Sequence, residues 1–206
     1  MHLSHYTQKM VRVQDRQGRM YTGIADVFSR AHALQAYGRD EEGLRINGYV
    51  LFTGDMASVE CLPALSVIRA TQTYQQAGAY YVRIQAMARK HHITLREEFD
   101  EHDTPDTKYI VVTDADFPVA TARMYPESDA VMMIGRVVVL PEYRHRGMGT
   151  LVVHACEEWA GEMGYTRAVL DSRENKVGFY EELGYAVCGA PADGETFRCI
   201  RMEKAL

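Results

Sequence analysis

One short segment of the chain has the residue types that bind a phosphate group: Arg144-His145-Arg146-Gly147-Met148-Gly149-Thr150. Its glycines leave backbone N–H groups uncovered, its arginines supply positive charge, and its threonine adds a hydroxyl. An unbroken apolar run, Val137–Leu140, precedes the segment, and a long helical pattern follows it. The sequence therefore predicts a buried strand, a loop and a helix N-terminus, whose partial positive charge attracts anions. A tight strand-to-helix turn with solvated arginines is the alternative interpretation.

The spacing of these glycines excludes a dinucleotide-binding loop. Such a loop requires G-x-G-x-x-G at the end of a parallel strand, with an acidic residue about 20 positions further on. The third glycine is absent at this spacing, and the preceding strand is predicted to follow a hairpin.

A second segment with residue types that could take part in chemistry is acidic: Glu97-Glu98-Phe99-Asp100-Glu101-His102-Asp103. It predicts either a solvated loop or helix start, or an acidic rim that attracts a cationic substrate. The four cysteines, at positions 61, 156, 188 and 199, include no Cys-x-x-Cys pair. We therefore expect neither a metal site nor a disulfide framework.

The composition is that of an ordinary globular protein, with 47% hydrophobic and 25% charged residues among 206. This length allows one or two domains. The net charge of −5 offers no basic surface for general nucleic-acid binding. No apolar stretch approaches the ~20 residues of a membrane span, and the first residues lack the pattern of a signal peptide. We expect a cytoplasmic protein that contacts no membrane.

Residues 7–62 are predicted to form short strands separated by turns, including the hairpin signal Asn47-Gly48. So many short strands favour a small closed β-barrel, because closure removes exposed strand edges. The string V-x-V-x-D-x-x-G-R-x-Y-x-G, from Val11 to Gly23, resembles the first motif of Sm-like domains, which are SH3-like barrels. Seven basic residues balance seven acidic ones over residues 1–62. A packing or dimerisation role is therefore favoured over RNA binding.

Pro63 marks a boundary, so we expect a barrel domain over residues 1–62 and a second domain over residues 63–206. The second domain begins with a strand, a helix over 75–92 and a meander of three strands. It continues with a helix over 148–163, a strand, a helix over 176–183 and two closing strands. This order predicts an α+β or α/β fold, a mixed sheet with helices on both faces.

Two blocks of this second domain resemble the GNAT acyltransferases. The string R-x-x-G-x-G, Arg144 to Gly149, follows V-x-x-L-P-E-Y and is similar to their acetyl-CoA signature. The string N-x-x-x-F-Y-x-x-x-G-Y, Asn175 to Tyr185, is similar to their second motif. The resemblance covers residues from about 65 to 206, and I-G-R-V-V-V-L-P-E-Y-R with E-F-D-x-x-D looks closest to the ElaA-like members. Those proteins often carry Glu-Gln where this chain has Arg89-Lys90.

The resemblance implies a mostly antiparallel GNAT sheet, flanked by helices, that uses acetyl-CoA as co-substrate. The pyrophosphate would lie on the glycine loop, and the pantetheine arm would pair along the splayed strand, where a backbone N–H stabilises the oxyanion. The implied cofactor-binding residues are Val137, Val138, Val139, Arg144, His145, Arg146, Gly147, Met148, Gly149, Thr150 and Asn175. Asn175 could equally cap the last helix. Tyr180 would donate a proton to the departing thiolate, or else it packs in the core.

An amine acceptor has a pKa of ~10 and must lose a proton before it attacks. Glu98, Asp100 and Asp103 are the candidate bases, and the sequence does not choose among them. We expect acetyl transfer to an amine by direct attack through a tetrahedral intermediate. The alternatives are a non-catalytic acyl-CoA-binding regulatory module and an RNA-associated protein acting through the barrel. The resemblance is compatible with a homodimer, because GNAT enzymes often dimerise, but the sequence does not determine the oligomeric state.

Overall fold

Residues 2–61 form two small antiparallel sheets, in a computed structural model that describes residues 2–193 and 197–206. The elements of this part are β1 (Met10–Asp15), β2 (Met20–Ile24), β3 (Asp26–Phe28), α1 (Arg30–Tyr37), β4 (Gly43–Ile46), β5 (Tyr49–Phe52) and β6 (Met56–Cys61). The spatial orders are β2-β1-β6 and β3-β4-β5, and no strand pairing joins the two sheets within the described chain. The predicted closed barrel is therefore wrong.

Two local features explain why the barrel stays open. The chain leaves the first sheet at Ala25, whose backbone pairs with Gln8 and Lys9, and then enters the second sheet. Helix α1 follows, which we did not predict; a Ser29 side-chain cap begins it and Gly38, at φ 69°, ends it. The two sheets instead share one apolar core, formed by Val11, Val13, Leu44, Ile46 and Met56.

The predicted hairpin at Asn47-Gly48 is confirmed. These residues connect β4 to β5, with Ile46 paired to Tyr49 across the turn. Their φ angles are 48° and 80°, in the left-handed region that a type I′ turn requires at both central positions.

The remaining strands form one mixed, mostly antiparallel sheet of eight strands. They are β7 (Leu65–Arg69), β8 (Lys108–Asp114), β9 (Phe117–Pro126), β10 (Val131–Val139), β11 (Arg167–Arg173), β12 (Ala186–Val187), β13 (Ala192–Asp193) and β14 (Arg198–Ala205). The order is β12-β14-β11-β10-β9-β8-β7, and β13 pairs with β14. The predicted mixed sheet is confirmed. Thr196, where we expected the last strand to begin, lies outside the described residues.

Helices cover both faces of this sheet, as predicted. They are α2 (Thr73–Arg83), α3 (Arg89–His91), α4 (Leu95–Glu98), α5 (Met148–Glu162) and α6 (Val177–Glu182). Helix α5 packs on the face that carries Ile110 and Val112, whereas α2 packs on the face that carries Tyr109 and Val111. Alternate residues of β8 thus face opposite layers. In the described ranges, 2–193 and 197–206, no helix is long and apolar enough to cross a membrane.

The helix predicted over 75–92 is interrupted between α2 and α3. The interruption is a π-helical turn, Ile84–Ala88. A π turn inserts one residue into a helix and re-aims the side chains around it, and such turns are frequent at functional sites.

Candidate active site

A wedge-shaped gap opens in the large sheet between β10 and β11. The two strands pair in parallel only from Val131 to Met133, and they diverge beyond that point. On its other edge β10 carries a bulge, because residues 136 and 137 lie opposite a single residue of β9. Arg136 occupies this bulge at φ 49°. The C-terminal halves of β10 and β11 therefore border an opening in the middle of the fold.

The backbone of Val139 points into this gap. The N–H of Leu140 donates to Val119 on the β9 side. Since backbone groups of successive strand residues point to opposite edges, the N–H and carbonyl of Val139 point toward β11. Val137 and Val139 are half-buried against the α5 core, and Val138 is buried on the α2 face. The side chains thus hold the strand in place, and of the two Val139 backbone groups the carbonyl accepts from Arg144 Nε while the N–H stays available.

The predicted glycine loop presents a row of backbone N–H groups. A 3-10 turn, Pro141–Tyr143, leads from β10 into the loop, and Gly147 is the N-cap of α5. The first helical hydrogen bond of α5 joins the Leu151 N–H to Gly147, so the N–H groups of residues 148–150 have no partner inside the helix. Those of residues 145–147 donate to no backbone carbonyl of the described chain. Together with the helix dipole they form a site suited to an anion.

The arginines of the loop keep unpaired positive charge. Arg144 donates from Nε to the carbonyl of Val139 at 3.0 Å, which ties the loop to the edge of the gap. The guanidinium of Arg146 lies 5.7 Å from the ring centroid of Tyr143. His145 is exposed, whereas Met148 is buried, so only the backbone of Met148 can meet a ligand. Neither arginine forms an ion pair with a carboxylate of the described residues.

The glycines of the loop are also required by contacts within the protein, which sequence reasoning missed. A Cβ at Gly147 would lie 2.7 Å from the backbone nitrogen of Thr22 in β2, and Gly147 has φ 78°. A Cβ at Gly149 would lie 3.2 Å from the Phe179 ring. The hydroxyl of Thr22 also donates to the carbonyl of Arg146 at 2.5 Å. The first part of the chain therefore holds the loop directly.

Tyr180 lies on α6, immediately after the strand that forms the second edge of the gap. Its half-buried ring packs edge-on against Phe179 and Tyr185, with centroid distances of 4.9 and 5.9 Å. Burial raises the pKa of Tyr180 above its usual range. Its hydroxyl forms no hydrogen bond with the residues the structure describes.

Asn175 lies in an exposed 3-10 turn, Glu174–Lys176. The N-cap of α6 is Lys176, and no side chain caps that helix. The alternative in which Asn175 caps the helix is therefore wrong, and its side chain is free on the surface next to α6.

The acidic segment is a buried ion-pair network, so both the solvated-loop and the acidic-rim interpretations are wrong for its inner residues. Arg83, fully buried, donates from Nε to Glu98 at 2.8 Å and from Nη1 to Asp103 at 2.5 Å. Arg123 donates to Asp100 at 2.5 Å, and Arg136 donates to the same carboxylate at 2.9 Å. The network holds the segment against β9 and β10.

The three candidate bases differ in how many of their carboxylate oxygens are hydrogen-bonded within this network and in how it shifts their pKa. Burial opposes ionisation of Asp103, yet hydrogen bonds from Arg83 and Tyr109 outweigh it and hold its pKa far below the usual range. Asp100 is similar, since the bond from Arg123 outweighs burial and lowers its pKa. Glu98 differs, because its Oε2 is buried and has no hydrogen-bond partner among the described residues.

Sequence reasoning missed Thr22, Arg136 and Arg173, which also border the loop or the gap. Arg136 and Arg173 could have been found from the sequence. Each lies in an apolar strand pattern that leads into one of the two GNAT-like motifs, which begin at Arg144 and Asn175. Thr22 carried none, since its partner is 124 residues away in the chain. No cluster of ligand-type side chains able to hold a metal occurs in residues 2–193 and 197–206.

Comparison with known proteins identifies the family. The sequence model of the Acetyltransferase (GNAT) family matches residues 71–185, more than half of the chain. The chain belongs to the GNAT acetyltransferase family. Its GNAT domain therefore includes the gap, the glycine loop and Tyr180, whereas β1 to β7 lie before the match.

Relatives of this GNAT protein agree with the assignment. YjcF of Bacillus subtilis, named an uncharacterised N-acetyltransferase, is 28% identical over 123 residues, which cover 60% of this chain and 86% of the relative. A solved Lactobacillus plantarum structure, assigned as an N-acetyltransferase, is 33% identical with a TM-score of 0.67, covering 69% of this chain and 99% of that one. Escherichia coli ElaA shares the fold at 19% identity, with a TM-score of 0.60 and coverage of 68% and 98%. A special closeness to ElaA is not confirmed.

Proposed function

We propose that this GNAT acetyltransferase transfers an acetyl group from acetyl-CoA to an amine by direct attack on the thioester. The single observation that carries the proposal is the divergence of β10 from β11 directly beside a loop of unpaired N–H groups. The gap accepts an extended arm, and the loop accepts a charged head group. When bound, acetyl-CoA supplies an activated acyl group.

The donor side of the site uses mostly backbone. The N–H groups of residues 145–150 and the guanidinium groups of Arg144 and Arg146 bind the pyrophosphate, with the Thr150 hydroxyl beside them. Val137 to Val139 form the strand along which the pantetheine arm would lie, and the Val139 N–H, on the gap side, is the candidate donor to the oxyanion. His145 and Asn175, both exposed near this region, extend the contact surface.

Tyr180 acts as the acid in this proposal. Because burial raises its pKa, the hydroxyl keeps its proton at neutral pH. A thiol has a pKa of ~8.5, so complete transfer from Tyr180 to the leaving thiolate is uphill. A hydrogen bond to the developing negative charge still lowers the barrier. The unpartnered hydroxyl supports this role over simple core packing.

Glu98 is the preferred base among the three candidates. Asp100 and Asp103 engage both of their oxygens in hydrogen bonds with arginines. Glu98 uses only Oε1 in this way. Its Oε2 has no partner among the described residues, and because Glu98 is fully buried it would take the amine proton through a water rather than by direct contact.

Release of free thiol from acetyl-CoA, measured with a panel of amines, polyamines and aminoglycosides, tests the proposal. We expect turnover with at least one amine, together with a rise in melting temperature on adding acetyl-CoA. Stabilisation without any turnover would instead favour the non-catalytic acyl-CoA-binding module.

The division of the chain belongs to this proposal as well. We place the boundary at Pro63, between β6 and β7, with a support module over residues 1–62 and the acetyltransferase domain over residues 63–206. The homodimer and the cytoplasmic location stay predictions.

A further inference from the structure

Arg173 is a half-buried arginine without a carboxylate partner among the described residues. It is the last residue of β11. Its guanidinium carbon lies 3.4 Å from the ring centroid of Phe197, and Nη2 donates to the sulfur of Met87 at 3.4 Å. Ring and thioether cover the guanidinium but satisfy little of its hydrogen-bonding capacity, because a thioether is a weak acceptor. Most of its N–H donors therefore have no partner in the part of the chain that the structure describes.

Other buried or half-buried arginines at this end of the sheet do have carboxylate partners. Arg83, Arg123 and Arg136 each form an ion pair with an acidic side chain. Burial lowers the pKa of Arg173, and among residues 2–193 and 197–206 no carboxylate forms an ion pair with this cation. A partly dehydrated cation favours a bound anion, since charge-assisted hydrogen bonds strengthen as water is excluded.

Arg173 lies on the opposite face of the sheet from the glycine loop. Ala168 and Leu170 of β11 pack into the α5 core, so Arg173, at odd spacing from them, points to the α2 face. Its contact with Met87 in the π-helical turn agrees with this direction. The glycine loop leads into α5 on the other face. An anion bound at Arg173 therefore belongs to a molecule that enters from the α2 side.

The surroundings of Arg173 include the groups assigned to chemistry. Arg173 is separated from helix α6, which carries Tyr180, only by the turn Glu174–Lys176. Met87, which it contacts, lies in the π-helical turn that follows Arg83, the partner of Glu98. His91 lies next to the Phe197 ring that covers Arg173, with the centroids of the two rings 5.2 Å apart. A molecule at Arg173 thus lies between the elements that carry the proposed acid and base, which is where the acceptor must be held.

We infer that Arg173 binds an anionic group of the acceptor, so that the acceptor class is an amine that also carries a carboxylate or a phosphate. This inference rests on the proposed function. Arg173 fixes the anionic end of the acceptor by a bidentate contact. The amine end then faces Glu98 and the gap.

The test measures acceptor binding separately from turnover. The protein is first saturated with coenzyme A, which engages Arg144 and Arg146, and is then titrated calorimetrically with matched probes. The probes are L-amino acids against their amides, and O-phosphoethanolamine against ethanolamine. We expect the anionic member of at least one pair to bind ~10- to 100-fold more tightly, the range of a charge-assisted contact. The preferred pair distinguishes a carboxylate from a phosphate.

Variants assign the effect to Arg173. Arg173→Met keeps the apolar contacts with Phe197 and Met87, and we expect it to abolish the preference. Arg173→Lys keeps the charge and should retain part of it. Arg16→Met removes one exposed positive charge from the β1–β2 turn and should leave the preference unchanged.

Two results would overturn the inference: no preference for the anionic member in any pair, or an Arg173→Met variant that keeps the preference. Thiol release separates this failure from failure of the proposed function. If Arg173-dependent binding occurs without acetyl transfer, the anion site stands and the transferase proposal falls. If anionic and neutral amines react equally, and Arg173→Met lowers kcat for both, Arg173 acts on Tyr180 and the inference falls.

Discussion

The Tyr180 ring packs against Phe179 and Tyr185, and its hydroxyl has no hydrogen-bond partner among the described residues. Burial raises its pKa, so it is a poor acid in the ground state and a useful hydrogen-bond donor when negative charge develops nearby. Glu98 complements it, with one carboxylate oxygen bound to Arg83 and one free. Their different surroundings are the basis for proposing opposite proton roles for the two side chains.

Replacing Tyr180 by Phe should lower kcat by ~10- to 1,000-fold, because a stabilising bond to the leaving thiolate is lost. The affinity for acetyl-CoA should change little, since the loop and the strand edge supply that binding. Steady-state kinetics and calorimetric titration separate the two effects. Tyr74→Phe, at a 73% exposed position, is the matched control. An unchanged kcat would remove Tyr180 from the mechanism.

Gly147→Ala should weaken acetyl-CoA binding by more than ~10-fold and lower the melting temperature. The new Cβ would meet the backbone of Thr22 at 2.7 Å in a left-handed conformation. Gly149→Ala is the comparison, because its Cβ meets only an aromatic ring at 3.2 Å, and a ring can shift. Equal effects of both substitutions on melting temperature would contradict the steric argument.

At the scale of elements, the short helix α4 and the segment that follows it are held to the sheet by charge. Arg83 on α2, Arg123 on β9 and Arg136 on β10 converge on Glu98, Asp100 and Asp103. Taking one partner from a buried network leaves the remaining charges without compensation, which costs more than the network contributes when intact. The candidate base therefore depends on three separate elements for its position.

Asp103→Asn should lower the free energy of unfolding by about 3 kcal/mol, the range for a broken buried pair. Glu101→Gln changes an exposed carboxylate of the same segment and should change stability very little. Urea unfolding of both variants measures the difference. A similarly small effect of Asp103→Asn would show that the network does not hold this segment.

The same network predicts how stability depends on pH. Asp100 and Asp103 have folded-state pKa values below the unfolded value of about 3.9. Their contribution is therefore complete above about pH 4 and is lost as the pH falls below it, because the unfolded chain then binds more protons. Urea unfolding between pH 7 and pH 3 should show this decline. An Asp100→Asn/Asp103→Asn variant should show a shallower one, and an equal slope would refute the assignment.

How far the sequence predicts these elements depends on how local the interactions are. The loop from Arg144 to Thr150 could be predicted because strand, turn and helix N-terminus are adjacent in the chain. The acidic segment was misjudged because its partners lie 15 to 36 residues away. The strand pattern of β10 also carries no sign of the bulge, because Arg136 is ordinary in type and unusual only in its φ angle.

At the scale of the whole molecule, the N-terminal sheets and the GNAT domain contact each other at the glycine loop. Thr22 bonds to Arg146, and the hydroxyl of Tyr49 donates to the carbonyl of Glu182 on α6 at 3.1 Å. Between the two parts a cleft of about 760 Å³ is lined by residues of both, including Ile24, Asn47 and His154. The two separate N-terminal sheets could not be predicted from the strand pattern alone. That pattern shows neither helix α1 nor the contacts with the GNAT domain.

Thr22→Val should raise the KM for acetyl-CoA about 5-fold and leave kcat unchanged, since one hydrogen bond of about 1 kcal/mol is lost from the loop and none from the reacting groups. Thr71→Val, at an exposed position, is the control. Hydrogen exchange gives a second measurement: acetyl-CoA should slow exchange across β2 in the native protein and much less in Thr22→Val. Equal protection in both proteins would refute the coupling.

The bond between Thr22 and Arg146 also limits how this fold can be recombined. The family match begins at residue 71. This suggests that the acetyltransferase part could be moved to another protein without the residues before it. Transplanted without the N-terminal sheets, the glycine loop would lose the hydrogen bond from Thr22 to the Arg146 carbonyl and the backbone contact at Gly147. Chimaeras with relatives should therefore exchange β2 and the loop as one unit, although more than a hundred residues separate them in the chain.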